Sequence, residues 1–300
     1  MKTPDTFRPF TQALAIALVT FTLPILATDA VLQIARPEDK LIISWPQGTT
    51  NQFYLQATPS LSAPILWSNV TNEEMTVGSD FVVTNDAPGV AGFYRLQAWE
   101  VLFDGTSTAA FRQYRGTTFP SNNWMVVSNE LRTIPTNSAN WINIITTNTY
   151  TDFELQLEWN ASVDGNSGVF YRVDEAHNST GPENQIDDDA THPNGAVPVT
   201  SASSVFGLIA PTNKVLNPAG QFNAVRILIR TNHVEQWLNG SRVVEYQLNS
   251  PEFTRLVSTS RFSSDPFFGK VTNSGISLQQ HDAAGTAVAF RNIRIRRLSE

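Results

Sequence analysis

The stretch Phe153-Glu154-Leu155-Gln156-Leu157-Glu158-Trp159 alternates apolar and polar residues without a break. Strand side chains point to opposite faces in turn, so this period of two predicts a strand with one buried and one wet face. Farther on, Val225, Ile227 and Ile229 alternate with Arg226 and Arg230. Residues 233–238 and 242–248 flank Asn239-Gly240, a dipeptide favoured in two-residue hairpins because both positions take positive φ. Phe290-Arg291-Asn292-Ile293-Arg294-Ile295 reads as a closing strand, and no stretch shows a helical period. Residues 98–300 are therefore expected to form an all-β, antiparallel two-sheet sandwich of jelly-roll type.

Upstream, residues 31–97 hold four β-rich runs, at 41–45, 53–56, 81–83 and 93–96, separated by turn-forming residues such as Pro88-Gly89. They predict a small β-sandwich-like module that acts as a spacer or docking unit. Lys2 and Arg8 precede an apolar run at 13–27, the pattern of a signal peptide cut after Ala27. An exported protein is expected, periplasmic, on the outer surface or secreted. The alternative for that run is an uncleaved membrane anchor. No later segment is apolar enough to span a bilayer.

The 300 residues suit about two domains. A net charge of −7 argues against a nucleic-acid partner and is compatible with a neutral substrate such as a sugar. With no cysteine, there is no disulfide, no thiol nucleophile and no thiolate metal ligand.

The chemistry concentrates in two segments. Gly165-Asn166-Ser167-Gly168-Val169-Phe170-Tyr171-Arg172 is followed by Gly181-Pro182-Glu183-Asn184-Gln185 and an acidic run that ends at His192. An Arg, amides, carboxylates and a His in one region point to a sugar or metal site. Among the four His, His192 stands out because Asp187, Asp188 and Asp189 precede it, and His281 follows a strand end. Glu183 and Asp188 could form a carboxylate pair for acid/base work. The Asp run could bind Ca²⁺, a solvated acidic turn being the alternative. Glu158 is either a carboxylate on a concave sheet or a solvated sheet residue. Trp237 is either core or a sugar platform.

Taken in order, several segments resemble the 3-keto-disaccharide hydrolase family, whose members carry a concanavalin-like jelly roll. The segments are Leu102-Phe103-Asp104-Gly105, 152–159, Gly165-Asn166-Ser167-Gly168, Gly181-Pro182-Glu183, 218–223, 234–240, Leu278-Gln279-Gln280-His281 and Phe290-Arg291-Asn292-Ile293. The resemblance implies cleavage of glycosides already oxidised at C3, by base-assisted elimination and hydration. It implies no organic cofactor, a carbohydrate substrate, and a divalent metal in some relatives. On this basis Glu183, His192, Glu158 and His281 are the expected catalytic residues. Arg172, Gln185, Asn166, Tyr171 and Trp237 are expected to bind substrate, and Asp188 to ligate a metal. The chain departs from the family pattern at Asn184, where an aromatic is usual, at Gln236, usually His, and at Gln280, usually Asp. Residues 201–204 replace an Arg-Thr-Gly-like segment. These departures leave a second reading open, a glycan-binding module of the same fold without the chemistry.

Overall fold

The computed structural model describes residues 30–37, 39–47, 53–70, 72, 74–86, 92–137, 140–281 and 285–298. The expected signal peptide and the Pro88-Gly89 turn lie outside them. The first module has two small antiparallel sheets. One is β1 (Gln33–Ala35), β2 (Lys40–Pro46), β6 (Asp80–Asp86) and β5 (Glu74–Val77), in that order. The other is β4 (Ser68–Asn69), β3 (Phe53–Thr58) and β7 (Phe93–Ala98). Ile43, Trp45, Leu55 and Val83 from both sheets form its buried centre.

The remaining strands are β8 (Glu100–Phe103), β9 (Phe111–Gln113), β10 (Trp124–Val127), β11 (Glu130–Thr133), β12 (Ile144–Thr146), β13 (Phe153–Ala161), β14 (Asn166–Phe170), β15 (Glu183–Asp187), β16 (Asn223–Arg230), β17 (His233–Leu238), β18 (Ser241–Gln247), β19 (Ser277–Leu278) and β20 (Val288–Arg297). They make a large sheet, β10-β11-β20-β13-β16-β17-β18, with β8 also on β20, and a small sheet, β15-β14-β19-β12-β9. Phe153, Leu155, Leu157 and Trp159 face Ile144, Val169, Ile186 and Leu278 across one continuous core. Removing such apolar area from water, at roughly 25 cal/mol per Å², is what holds the sheets together. This is the antiparallel two-sheet jelly roll that the alternation predicts. At the β17–β18 hairpin, Asn239 and Gly240 have φ of 48° and 83°.

Two elements go beyond the sequence reading, a short 3-10 turn at Pro193–Ala196, capped by His192, and helix α1 (Pro251–Ser258). Ser250 caps it by accepting from the Phe253 N–H, Pro251 sits in the first turn, and Phe253 is its one buried side chain. Eight residues with a single buried position leave no periodic signal to read.

The first module lies against the outer face of the large sheet. The Arg296 guanidinium stacks 5.0 Å from both the Tyr54 and Trp99 rings, and Arg294 stacks 4.7 Å from Trp99. Beneath them Glu154, 2% exposed, receives Arg226 and Arg296. These cations hold its carboxyl at about 2 in spite of burial, which pushes the other way and is the largest single influence. No helix among the described residues is long and apolar enough to cross a membrane.

Candidate active site

Every residue of β14 and β15 is buried, so both faces of this strand pair are covered. Alternation sorts them. Val169 and Ile186 enter the main core, whereas Phe170 joins a separate cluster with Ile145 and Val173 on the opposite, front face. The register pairs Asn166 with Asp187, Gly168 with Gln185 and Phe170 with Glu183, so all six share that front face. β19 continues the ladder, with Ser277 opposite Phe170 and the Gln279 N–H donating to Gly168 O. Gln279 therefore sits beside Gly168, and His281, two residues on, at the end of the row beside Asn166.

The absence of a side chain at Gly168 has a specific use. A Cβ there would lie 1.9 Å from Glu183 Oε1, because the Glu183 carboxyl folds over this position. Gly181, which starts the Gly-Pro-Glu turn at φ +69°, would set a Cβ 2.3 Å from Tyr171 O. Both glycines thus serve the placement of Glu183.

Two carboxyls on this face are strongly perturbed. Burial pushes Glu183 up to about 8, opposed by the charge of Arg261, and its Oε1 has no hydrogen-bond partner among the described residues. Burial, reinforced by the Asp189 carboxylate, pushes Asp187 up to about 7. His192 Nδ1 lies 2.7 Å from Asp187 Oδ1, close enough to share a proton but out of line for a regular hydrogen bond, so both Asp187 oxygens lack an aligned donor. Gln185 Nε2 donates to Asn166 Oδ1 at 3.3 Å, which turns Asn166 Nδ2 toward His192 Nε2 at 3.4 Å. With Asn166 Nδ2 donating to Nε2, the proton of a neutral ring sits on Nδ1, toward Asp187, and the Nε2 lone pair is held by the amide. The Asn194 N–H, 3.4 Å from Nδ1, competes weakly with the shorter carboxylate contact. His281 has its pKa lowered chiefly by burial, against a backbone hydrogen bond that raises it and with the Arg261 charge adding to the fall, and its ring lies 4.1 Å from Trp141.

The front face thus gathers Asn166, Glu183, Gln185, His192 and His281. It does not gather the other expected residues. Glu158 projects from β13 on the outer face of the large sheet, across the core, and binds Arg291 at 2.6 Å and Asn292 at 2.7 Å. Trp237 shares that outer face, donating to Glu235 under the Arg226 guanidinium. Tyr171 is in the core, hydrogen-bonded to Tyr246 and Gln236. Arg172, 2% exposed, gives its donors to the carbonyls of Thr231 and Thr272 and so ties loops together rather than offering a fork to substrate. Asp188 accepts from the Asp164 and Ala190 N–H groups and the Thr191 hydroxyl, which makes it the organiser of a turn and not a free metal ligand. Sequence alternation tells which face of its own strand Glu158 or Trp237 occupies, but not which side of the sandwich that face becomes.

The three single-residue departures from the family pattern, Asn184, Gln236 and Gln280, all point away from the front face. Asn184 Nδ2 donates to Gln236 Oε1 at 2.9 Å, so two of them bond to each other inside the core. Gln280 accepts from Asn123 Nδ2 and the Ile142 N–H and donates to Ile134 O, pinning the segment that carries Trp141.

A divalent metal needs several ligands converging on one point. Among the described residues, no three His, Asp or Glu groups on the front face lie within ligand distance of one another. Only His233, Glu235 and Glu245 do, on the outer face, where Arg226, Arg242 and Trp237 already engage Glu235. The residues as placed do not fit a metal centre at Asp188 or on the front face.

Sequence reading missed four front-side residues. In the sequence Asp187 is no more than the first member of an acidic run. Arg261, stacked 5.7 Å from Phe206 and 5.8 Å from Phe262, reaches the site from the segment after α1. Trp141 and Tyr114 help line a cavity of about 390 Å³ with Asn143, Gln279 and His281. None carries a local motif, because each arrives through strand pairing or a long loop.

Residues 98–296 match the 3-keto-alpha-glucoside-1,2-lyase-like domain. The chain is 29% identical over 173 residues to a 3-keto-disaccharide hydrolase of Bacteroides thetaiotaomicron, a match that covers 49% of this chain and 59% of that protein's length. Two solved structures of candidate glycosyl hydrolases from Parabacteroides distasonis share the fold. One has a TM-score of 0.60 at 23% identity, covering 67% of this chain and 94% of its own. The other has a TM-score of 0.54 at 25% identity, covering 67% and 100%. The family match runs the length of the sandwich that bears the front face, and the chain belongs to the 3-keto-alpha-glucoside-1,2-lyase-like domain family.

Proposed function

We propose that the front face cleaves glycosides already oxidised at C3, by elimination followed by hydration, in an exported protein. The observation that carries this reading is the pairing of a buried carboxyl, Glu183, pushed up to about 8, with His192, whose Nδ1 lies 2.7 Å from Asp187 and whose Nε2 faces the Asn166 amide on the same face. At neutral pH Glu183 holds a proton to give, and the imidazole of His192 is the general base of this reading. The C3 ketone acidifies the C2 hydrogen. The His192 imidazole removes it, and the electron pair becomes an enolate with the C3 oxygen. That pair then forms the C1–C2 double bond as the C1–O bond breaks, and the departing oxygen takes the Glu183 proton. Water adds back, its hydroxyl to C1 and a proton to C2, and the 3-keto sugar is released. One water is consumed and both side chains regain their starting states.

Asp187 orients His192 and balances its charge once protonated, as a carboxylate does for a catalytic imidazole. Arg261, whose charge is felt by both Glu183 and His281, is suited to offset the enolate. It takes the part that Arg172, locked in the core, cannot. The test is release of the second sugar from a 3-keto-disaccharide, with and without added divalent cation. Glu183→Gln and His192→Ala, if folded, should each lower the rate roughly 10²- to 10⁴-fold. Wild-type rates in both variants would overturn the assignment. Saturable sugar binding with no turnover by the native protein would instead establish a binding module. Export is checked separately: the mature protein should begin near Thr28, and mass spectrometry showing residues 1–27 retained would refute it.

A further inference from the structure

The cavity of about 390 Å³ is not over Glu183 but beside it, beyond Gln279 and His281. We propose that it is a second sugar subsite, which holds the leaving pyranose or furanose ring against Trp141. This rests on the reading of the front face as the place where the 3-keto ring is held.

Three observations converge. The first is position. Asp187, Asn166 and His281 form one row across the small sheet, with Gln185, Gly168 and Gln279 in the next. A ring held beside the Glu183 carboxyl that covers Gly168, between Glu183 and His192, has the cavity on its β19–β12 side. His281 stands at the boundary, where the bond between two rings would lie.

The second is chemistry. The walls combine two aromatic rings, Tyr114 and Trp141, with the amides of Asn143 and Gln279. Apolar ring faces above and amide donors and acceptors around suit a polyol ring, whose C–H face packs on an aromatic while its hydroxyls seek partners. The hydroxyls of a second sugar ring would find partners along this amide-bearing wall, which a purely apolar aglycone would leave unpaired.

The third is rigidity. Trp141 lies outside any strand, yet its segment is fixed on both sides. Asn123 Nδ2 donates to Asn140 O at 2.6 Å and Trp124 Nε1 to Ile142 O at 2.7 Å. The Ile142 N–H donates to Gln280 Oε1 at 2.8 Å. A platform clamped by buried partners loses little freedom when a ligand docks, which is how preorganised sites gain affinity.

The experiment compares the 3-keto forms of trehalose, maltose and sucrose with methyl 3-keto-α-glucoside, which has no second ring. In Trp141→Ala, kcat/KM for the disaccharide that wild type uses best should fall roughly 10- to 100-fold more than for the methyl glycoside. Tyr114→Leu, which removes the other aromatic ring of the wall, should shift the same ratio several-fold and covers the case in which Trp141→Ala does not fold. An unchanged ratio in the folded variants overturns the subsite, as does a wild type that cleaves the methyl glycoside but none of the disaccharides. If wild type cleaves neither kind, the proposed chemistry fails, and calorimetry with the unoxidised disaccharides and methyl α-glucoside decides. A preference for two rings that Trp141→Ala abolishes supports the subsite, and equal or absent binding overturns it.

Discussion

Replacing Glu183 by Gln keeps its shape and removes its titration, and the consequence for stability follows from its setting. The carboxyl, 8% exposed and with Oε1 unpartnered, is pushed from an ordinary 4.5 up to about 8, chiefly by burial. The folded chain therefore holds a proton that the unfolded chain releases. Stability from this group is complete below about pH 4.5, declines as pH rises, and is lost once pH passes about 8. Each tenfold change in proton affinity is worth about 1.4 kcal/mol, so the whole interval amounts to on the order of 5 kcal/mol. Asp187 is raised too, but it titrates in both proteins and largely cancels in their difference. Urea unfolding of wild type and Glu183→Gln should give closely similar stabilities near pH 5. Toward pH 9 the variant should become more stable by several kcal/mol. Parallel profiles across that range would refute the claim that this carboxyl is buried and protonated, and with it the proton donor of the mechanism.

Gly168→Ala should leave a folded protein with turnover reduced at least about 100-fold, since its Cβ takes the space of the Glu183 carboxyl; near-normal turnover would show that Glu183 acts from elsewhere. Arg172→Met should lower unfolding stability by roughly 2–5 kcal/mol by leaving the Thr231 and Thr272 carbonyls unpaired. Activity per folded molecule should survive, and a selective rise in KM would restore Arg172 to substrate binding. Glu158→Gln should cost less than about 1 kcal/mol, because its pair with Arg291 is partly exposed, and should not alter turnover. A chain beginning at Ala98 should remain active but melt at lower temperature, because Trp99 and Arg296 lose Tyr54; loss of all turnover in a folded truncation would give the first module a direct part.

The strands were legible because alternation is a local property. Phe153 to Trp159 shows which side chains of β13 enter the core whatever strand pairs with it, but not that Glu154 on the other face is buried as well, beneath the first module. The site was legible only where a local motif carried it, as in Gly181-Pro182-Glu183-Asn184-Gln185. Glu158 and Trp237 illustrate the gap. Each sits on the polar face of its strand, as alternation requires, but the large sheet turns that face away from Glu183. Arg172 and Tyr171 show a second gap. Their neighbours Thr272, Thr231 and Tyr246 come from 59 to 100 residues away, so nothing near them in sequence announces burial. Trp141 and Arg261 reach the site on irregular segments, where no period exists to read.

The Asn184–Gln236 contact bears on how this chain could have diverged. It joins β15 to β17 through the interior, and Gln236 extends it to Tyr171 and Tyr246. Either residue changed alone toward the aromatic or the His usual in the family would strand an amide among hydrocarbon side chains or overfill the space beside it. The two positions are therefore expected to drift as a couple, each intermediate being less fit than either end. Sequences along the lineage should hold the pair in matched states, and a double-mutant cycle should show the combined change costing less than the sum of the single ones.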